Sequence, residues 1–228
     1  MSQSAPPLTE VHGLPPEEQN EKGLQHHFTT FEQQIDATKI GMWLFLGTEL
    51  LMFGGLFVGF GMMQAAHPDA FYAAHHHLDK RLGFLNTVVL LVSSWTMVMG
   101  VWSAKHNKRT ALIRYLFATL CLAGVFLVVK FFEYSHKFHD GLLPGQYYHH
   151  LGDAVPGQAM FYGFYFMMTG LHGIHVLAGM GAISWLLIRA VRGDFTPQYW
   201  SPVDIVGLYW HLVDMIWIYL FPLLYLIS

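Results

Sequence analysis

The chain has 228 residues, 54% of them hydrophobic and 16% aromatic, with only 12% charged and a net charge of −3. That composition belongs to a membrane protein rather than to a soluble globular domain, and it shows no basic patch for nucleic acid. The single cysteine, Cys121, excludes an internal disulfide and a cysteine-rich metal centre.

Taken in chain order, residues 1–37 are polar and acidic, with prolines at 6, 7, 15 and 16, and read as an extended or disordered arm without a secretory signal. A spanning helix needs roughly 20 mainly apolar residues. Five stretches meet that requirement, at about 39–64, 83–104, 111–134, 158–189 and 203–226. The predicted fold is therefore all-α, a polytopic bundle of five transmembrane helices formed by residues 38–228. Lys22, Lys39, Lys105, Lys108, Arg109, Arg114, Arg189 and Arg192 flank one side, whereas Lys80, Arg81, Lys130 and Lys137 lie towards the other. The richer side is expected to be cytoplasmic, which puts the N-terminus inside and the C-terminus outside.

Small residues stud the helices and are expected to mediate close packing, chiefly Gly55 and Gly59 in the first span and Gly170 and Gly173 in the fourth. Hydrocarbon strongly disfavours polar groups, so intramembrane ionisable residues mark a partner or a function. Glu49 lies near the middle of the first span, His172 and His175 near the middle of the fourth, and His211 and Asp214 near the middle of the fifth. At about 1.5 Å of rise per residue, all five fall within a slab roughly 10 Å thick. They are expected to satisfy one another, or bound water, inside the bundle. Three roles fit such a cluster: a structural polar network, a proton-handling or lipid-headgroup site, and a metal or haem site. The last lacks a ligand signature.

Lys130 and Glu133 are three residues apart near the outer end of the third span, spaced to pair with each other or to contact a subunit. The outer loops carry His75, His76, His77, His149 and His150, which read as solvated rather than as a metal site. Tyr72, Tyr147, Tyr148 and Trp200 suit an interfacial aromatic belt, and Trp217 suits bundle packing. No phosphate loop, dinucleotide fingerprint or nucleophile elbow is present.

The run from Met42 to Phe53 (MWLFLGTELLMF), Leu85-Asn86-Thr87, Glu133-Tyr134, the run from Thr169 to Val176 (TGLHGIHV) and Tyr209-Trp210-His211-Leu212-Val213-Asp214 follow one another in this order. In these motifs the chain resembles the cytochrome c oxidase subunit III family, from about residue 38 to the end. The resemblance implies an accessory, non-redox subunit of a respiratory terminal oxidase, with cytochrome c as first choice of donor and a quinol oxidase or a nitric-oxide-reductase-type complex as alternatives. It implies subunit I as the main contact, subunit II in the same complex, haem and copper in those partners and none bound here, structural phospholipids, and a bacterial inner membrane. By the same resemblance Glu49, His172, His175, His211 and Asp214 are structural or lipid- or proton-linked, and no residue is catalytic. Longer members have seven helices, so this chain resembles the five-helix bacterial form. A free-standing proton conductor built on the same five residues is the rival of a different class.

Overall fold

The computed structural model describes residues 28, 30–75, 78–139, 158–197 and 199–226. Its elements are α1 (Phe31–Ala66), α2 (Pro68–His75), α3 (Lys80–Lys105), α4 (Arg109–His139), α5 (Gln158–Arg192) and α6 (Ser201–Tyr225). All but α2 are long and apolar enough to cross a membrane. The five expected spans are therefore all present, and the described residues are entirely helical or connecting.

Two boundaries differ from expectation for local reasons. α1 begins at Phe31, inside the stretch read as an arm, because Thr30 caps it by accepting a hydrogen bond from the Gln33 N–H at 3.2 Å. α4 runs on to His139, past the expected end at residue 134, since Glu133 and Lys137 are paired along its face rather than solvated. The arm up to residue 27, His76, His77, and the loop with Tyr147, Tyr148, His149 and His150 lie outside the described residues.

Both tight helix–helix connections at the basic end close by the same device. Asn107 follows α3 with a φ of 54°, and Gly193 follows α5 with a φ of 85°. After α3, Asn107 N–H reaches Ala104 O at 3.2 Å and Lys108 N–H reaches Ser103 O at 2.9 Å; after α5, Gly193 and Asp194 N–H reach Ala190 and Arg189 O, each at 3.1 Å. This is the double bond pattern that ends a helix with one left-handed residue, which glycine and asparagine adopt most readily. Arg109 then ties the two hairpins together. Its Nε donates to Ala190 O at 3.1 Å, which the Gly193 N–H also reaches, and its Nη2 donates to Val191 O in the last turn of α5.

The core lies among α3, α4, α5 and α6, where Trp210, Trp217, Tyr165, Phe126 and Met97 are fully enclosed. α1 lies against this group through Leu46, Phe53 and Phe60, spaced by seven. The outward faces of the helices are apolar yet uncovered: Leu51 is 77% exposed, Phe131 70% and Leu44 69%. An aqueous surface does not carry so many large apolar side chains, whereas a lipid-facing one does.

The glycines that allow close approach are not those expected. A Cβ at Gly55 or Gly173 would meet nothing within 4 Å; at Gly170 it would meet only the Tyr134 hydroxyl at 3.9 Å, and at Gly59 only the Phe164 ring at 3.5 Å. The tight positions are Gly179, 2.7 Å from the Trp210 ring, Gly83, 2.9 Å from Phe221, and Gly207, 3.1 Å from Val101. A glycine motif gives spacing along a helix; which side meets a bulky neighbour depends on the partner helix.

Candidate functional site: two buried polar assemblies

Glu49 and His175 meet across α1 and α5, with His175 Nε2 at 2.9 Å from Glu49 Oε2. The other ring nitrogen, Nδ1, lies 2.8 Å from Leu171 O, an acceptor only, so Nδ1 carries a proton. Both nitrogens thus face acceptors, and the ring bridges the Leu171 carbonyl and Glu49. Phe53 closes one side of the imidazole, edge-on at 5.4 Å. The Tyr209 hydroxyl donates to the His175 carbonyl at 3.0 Å, fastening α6 to the same turn. The side chains of the pair are about one-seventh exposed, at 14% and 15%, so the pair sits at the rim of the bundle.

His172 does not join it. Three residues of helix turn a side chain by about 60° from its neighbour, and this sends His172 into the core while His175 faces α1. The His172 ring lies between Phe126 at 5.5 Å and Trp217 at 5.2 Å. Among the described residues neither of its nitrogens has a hydrogen-bond partner. A buried polar group left unpaired costs roughly 1–3 kcal/mol. Replacing it with the similarly shaped phenylalanine, His172→Phe, is therefore expected to raise the thermal midpoint of the purified protein. A lowered midpoint would show that the imidazole makes an essential polar contact.

His211 and Asp214 form a separate group with Ser94 of α3. His211 Nδ1 is 2.7 Å from Ser94 Oγ. Ser94 is also the polar neighbour of Asp214, whose carboxyl is enclosed and whose oxygens make no hydrogen bond at full bonding geometry among the described residues. Asn86 of α3 is likewise enclosed with its amide unsatisfied. The five residues expected to satisfy one another thus fall into one pair, one isolated ring and one serine-linked couple. The expectation of a shared network is corrected on this point, because equal depth does not imply a common azimuth.

The second assembly was only half visible in the sequence. Lys130 and Glu133 do pair, at 2.8 Å, and Lys137 joins from the next turn at 3.2 Å. Two tyrosines complete the shell: Tyr225 donates to Glu133 Oε1 at 2.5 Å and Tyr165 to the same oxygen at 2.9 Å. Lys130 Nζ also donates to the Tyr225 hydroxyl at 2.8 Å and lies 4.6 Å above the Trp217 ring. All of these side chains are buried within this chain, so the Lys130–Glu133 pair is an internal crosslink of α4, α5 and α6 rather than an exposed subunit contact. The missing signal was the spacing 130, 133, 137, which places acid between two bases on one helix face. Tyr165 and Tyr225 carry no local signal, since a tyrosine near a membrane interface has a simpler explanation in the aromatic belt.

No group of three or more histidine, cysteine or carboxylate side chains converges among the described residues. The intramembrane His175, His211 and His172 are instead committed one by one, to Glu49, to Ser94 and to an aromatic enclosure.

Comparison with known proteins agrees with this architecture. The family model described as cytochrome c oxidase subunit III matches residues 18–228. A probable cytochrome c oxidase subunit 3 of Nocardia farcinica is 32% identical over 84% of this chain and 89% of its own length. A quinol oxidase subunit 3 of Bacillus spizizenii is 30% identical over 83% of this chain and 86% of its own. A cytochrome c oxidase subunit 3 of Alkalihalophilus pseudofirmus is 30% identical over 91% of this chain and 95% of its own. With a family match over most of its length and five helices fit to span a membrane, this multi-pass membrane protein belongs to the cytochrome c oxidase subunit III family.

Proposed function

We propose that this chain is an accessory, non-redox subunit of an aerobic terminal oxidase that reduces dioxygen to water in its partner subunits. The observation that carries the reading is the separate commitment of its intramembrane histidines. His175 is held by Glu49, His211 by Ser94, and His172 is enclosed by Phe126 and Trp217. Each ring is used to join helices, and such joints make a rigid scaffold. In this reading the chain lies against subunit I, with subunit II in the same complex, and the partners hold haem and copper. Phospholipid covers its uncovered apolar sides, and its polar residues support proton uptake by the catalytic subunit. The membrane is a bacterial inner membrane, with the face of Lys105, Lys108, Arg109, Arg189 and Arg192 towards the cytoplasm. Cytochrome c is the preferred donor. Relatives named as quinol oxidase subunits make quinol the alternative.

Purification through this chain in mild detergent tests the proposal. A haem spectrum and a large haem–copper partner are expected, and oxidation of reduced cytochrome c or of quinol then identifies the donor. A colourless chain without partners would overturn it and favour a conductor, to be measured as proton flux in liposomes. Within the complex, Glu49→Gln and Asp214→Asn are expected to leave the haem spectrum unchanged while shortening sustained turnover. Loss of haem absorption on either change would contradict the accessory role.

A further inference from the structure

A groove of about 310 Å³ opens between α3 and α6 at the basic end of the bundle. Lys105 and Asp204 stand at it, 3.6 Å apart, and His211 lines it together with Trp102 and Gly207. Asp204 to Asp214 is ten residues of helix, or about 15 Å along the axis. His211 therefore joins a groove at the polar end to a carboxyl deep in the bundle. The link is the 2.7 Å contact of His211 Nδ1 with Ser94 Oγ, and Ser94 is in turn the polar neighbour of Asp214. Among the described residues no cation pairs with Asp214: Lys130 and Lys137, which are buried in the bundle, are both bound to Glu133. An enclosed carboxyl with unpaired oxygens and no cation is disfavoured in its charged form, and a proton resolves this.

We propose that His211, Ser94 and Asp214 form a proton relay that loads Asp214 from the α3–α6 groove. An imidazolium at His211 releases its Nδ1 proton to Ser94 Oγ while the Ser94 hydroxyl proton passes to a carboxylate oxygen of Asp214. One N–H and one O–H bond break, and O–H bonds form on Ser94 and on Asp214. The positive charge of His211 and the negative charge of Asp214 disappear together, no electron moves, and the hydroxyl is regenerated with its hydrogen on the His211 side, so that it turns back towards Asp214 before another transfer. Lys105 and Asp204 are the charged groups that share the groove with His211. Their mutual pairing leaves the imidazole as the proton acceptor there. The relay ends at Asp214, so it stores a proton rather than crossing the membrane.

Infrared spectroscopy of the full chain, in its complex or alone in lipid nanodiscs, tests this. The spectrum of the parent protein minus that of Asp214→Asn is expected to show the carbonyl band of a protonated carboxyl, which shifts on transfer to D₂O. Ser94→Ala is expected to slow that shift by about tenfold or more, equivalent to ~1.4 kcal/mol of added barrier. Ser94→Thr keeps a hydroxyl and restores the rate. If Ser94→Ala does not fold, His211→Gln provides the same comparison. Absence of the carbonyl band, or an unchanged shift rate without the hydroxyl or imidazole, would overturn the relay. Failure of the chain to bring down a haem-containing partner would overturn the accessory reading instead, and leaves this measurement possible.

Discussion

Substituting Glu133 is expected to destabilise the chain more than any other single change in the bundle. In Glu133→Ala two ammonium groups, on Lys130 and Lys137, lose the carboxylate that both contact. The Tyr165 and Tyr225 hydroxyls lose their shared acceptor in the same step. Breaking a buried ion pair by removing one partner costs about 3–5 kcal/mol, because the remaining charge stays desolvated. Here the remaining charge is double. The expected result is a large drop in thermal midpoint, followed by size-exclusion chromatography after heating in detergent. The assembly holds α4, α5 and α6 together, so reduced association with partner subunits should accompany it. The charge argument has its own control. Lys130→Met, Glu133→Leu and Lys137→Met combined removes every ionic group at once, and replacing a whole buried network by apolar side chains is often near neutral. The triple variant should therefore be more stable than the single one. Equal stability of Glu133→Ala and the parent would show that the lysines reach water by another route.

The second large effect is steric. In Gly179→Ala the new methyl carbon falls 2.7 and 2.8 Å from two carbons of the Trp210 ring. Trp210 cannot yield easily, being fully enclosed and bonded through Nε1 to Ser93 Oγ at 3.1 Å. Overpacking of this kind costs about 1–3 kcal/mol, and Gly179→Val should cost more. Trp210→Phe removes the ring carbons in question and is expected to recover part of the loss when combined with Gly179→Ala. Gly173→Ala is the comparison within the same helix. It meets nothing within 4 Å, so it is expected to be neutral or to gain the ~0.5–1 kcal/mol by which alanine exceeds glycine inside a helix. A reversed order of the two alanine variants would mean that α5 and α6 lie further apart than described.

These two cases show what kind of information each level holds. Lys130 and Glu133 could be paired from their spacing alone, because helix geometry relates residues three or four apart without reference to anything else. Tyr165 and Tyr225 come from two other helices, 32 and 92 residues away from Glu133, and no local rule connects them. Glycine behaves in the same way. Gly170 and Gly173 were the packing positions expected in this helix, yet Gly179 is the one against which a tryptophan rests.

The intramembrane histidines mark the division most clearly. Their expected depth could be read from the sequence, since a spanning helix rises by a constant amount per residue. Their partners were not legible. Which of two residues about 60° apart on one helix faces a carboxylate, and which faces the rings of Phe126 and Trp217, depends on how α1, α4 and α6 surround α5. The helical class, the number of spans and the family were within reach of the linear chain, because they follow from hydropathy, segment length and linear motifs. The azimuth of each helix came from the packed bundle alone. Azimuth is set by side chains packing between helices, and it alone separated the Glu49–His175 pair, the His211–Ser94–Asp214 group and the Glu133 network.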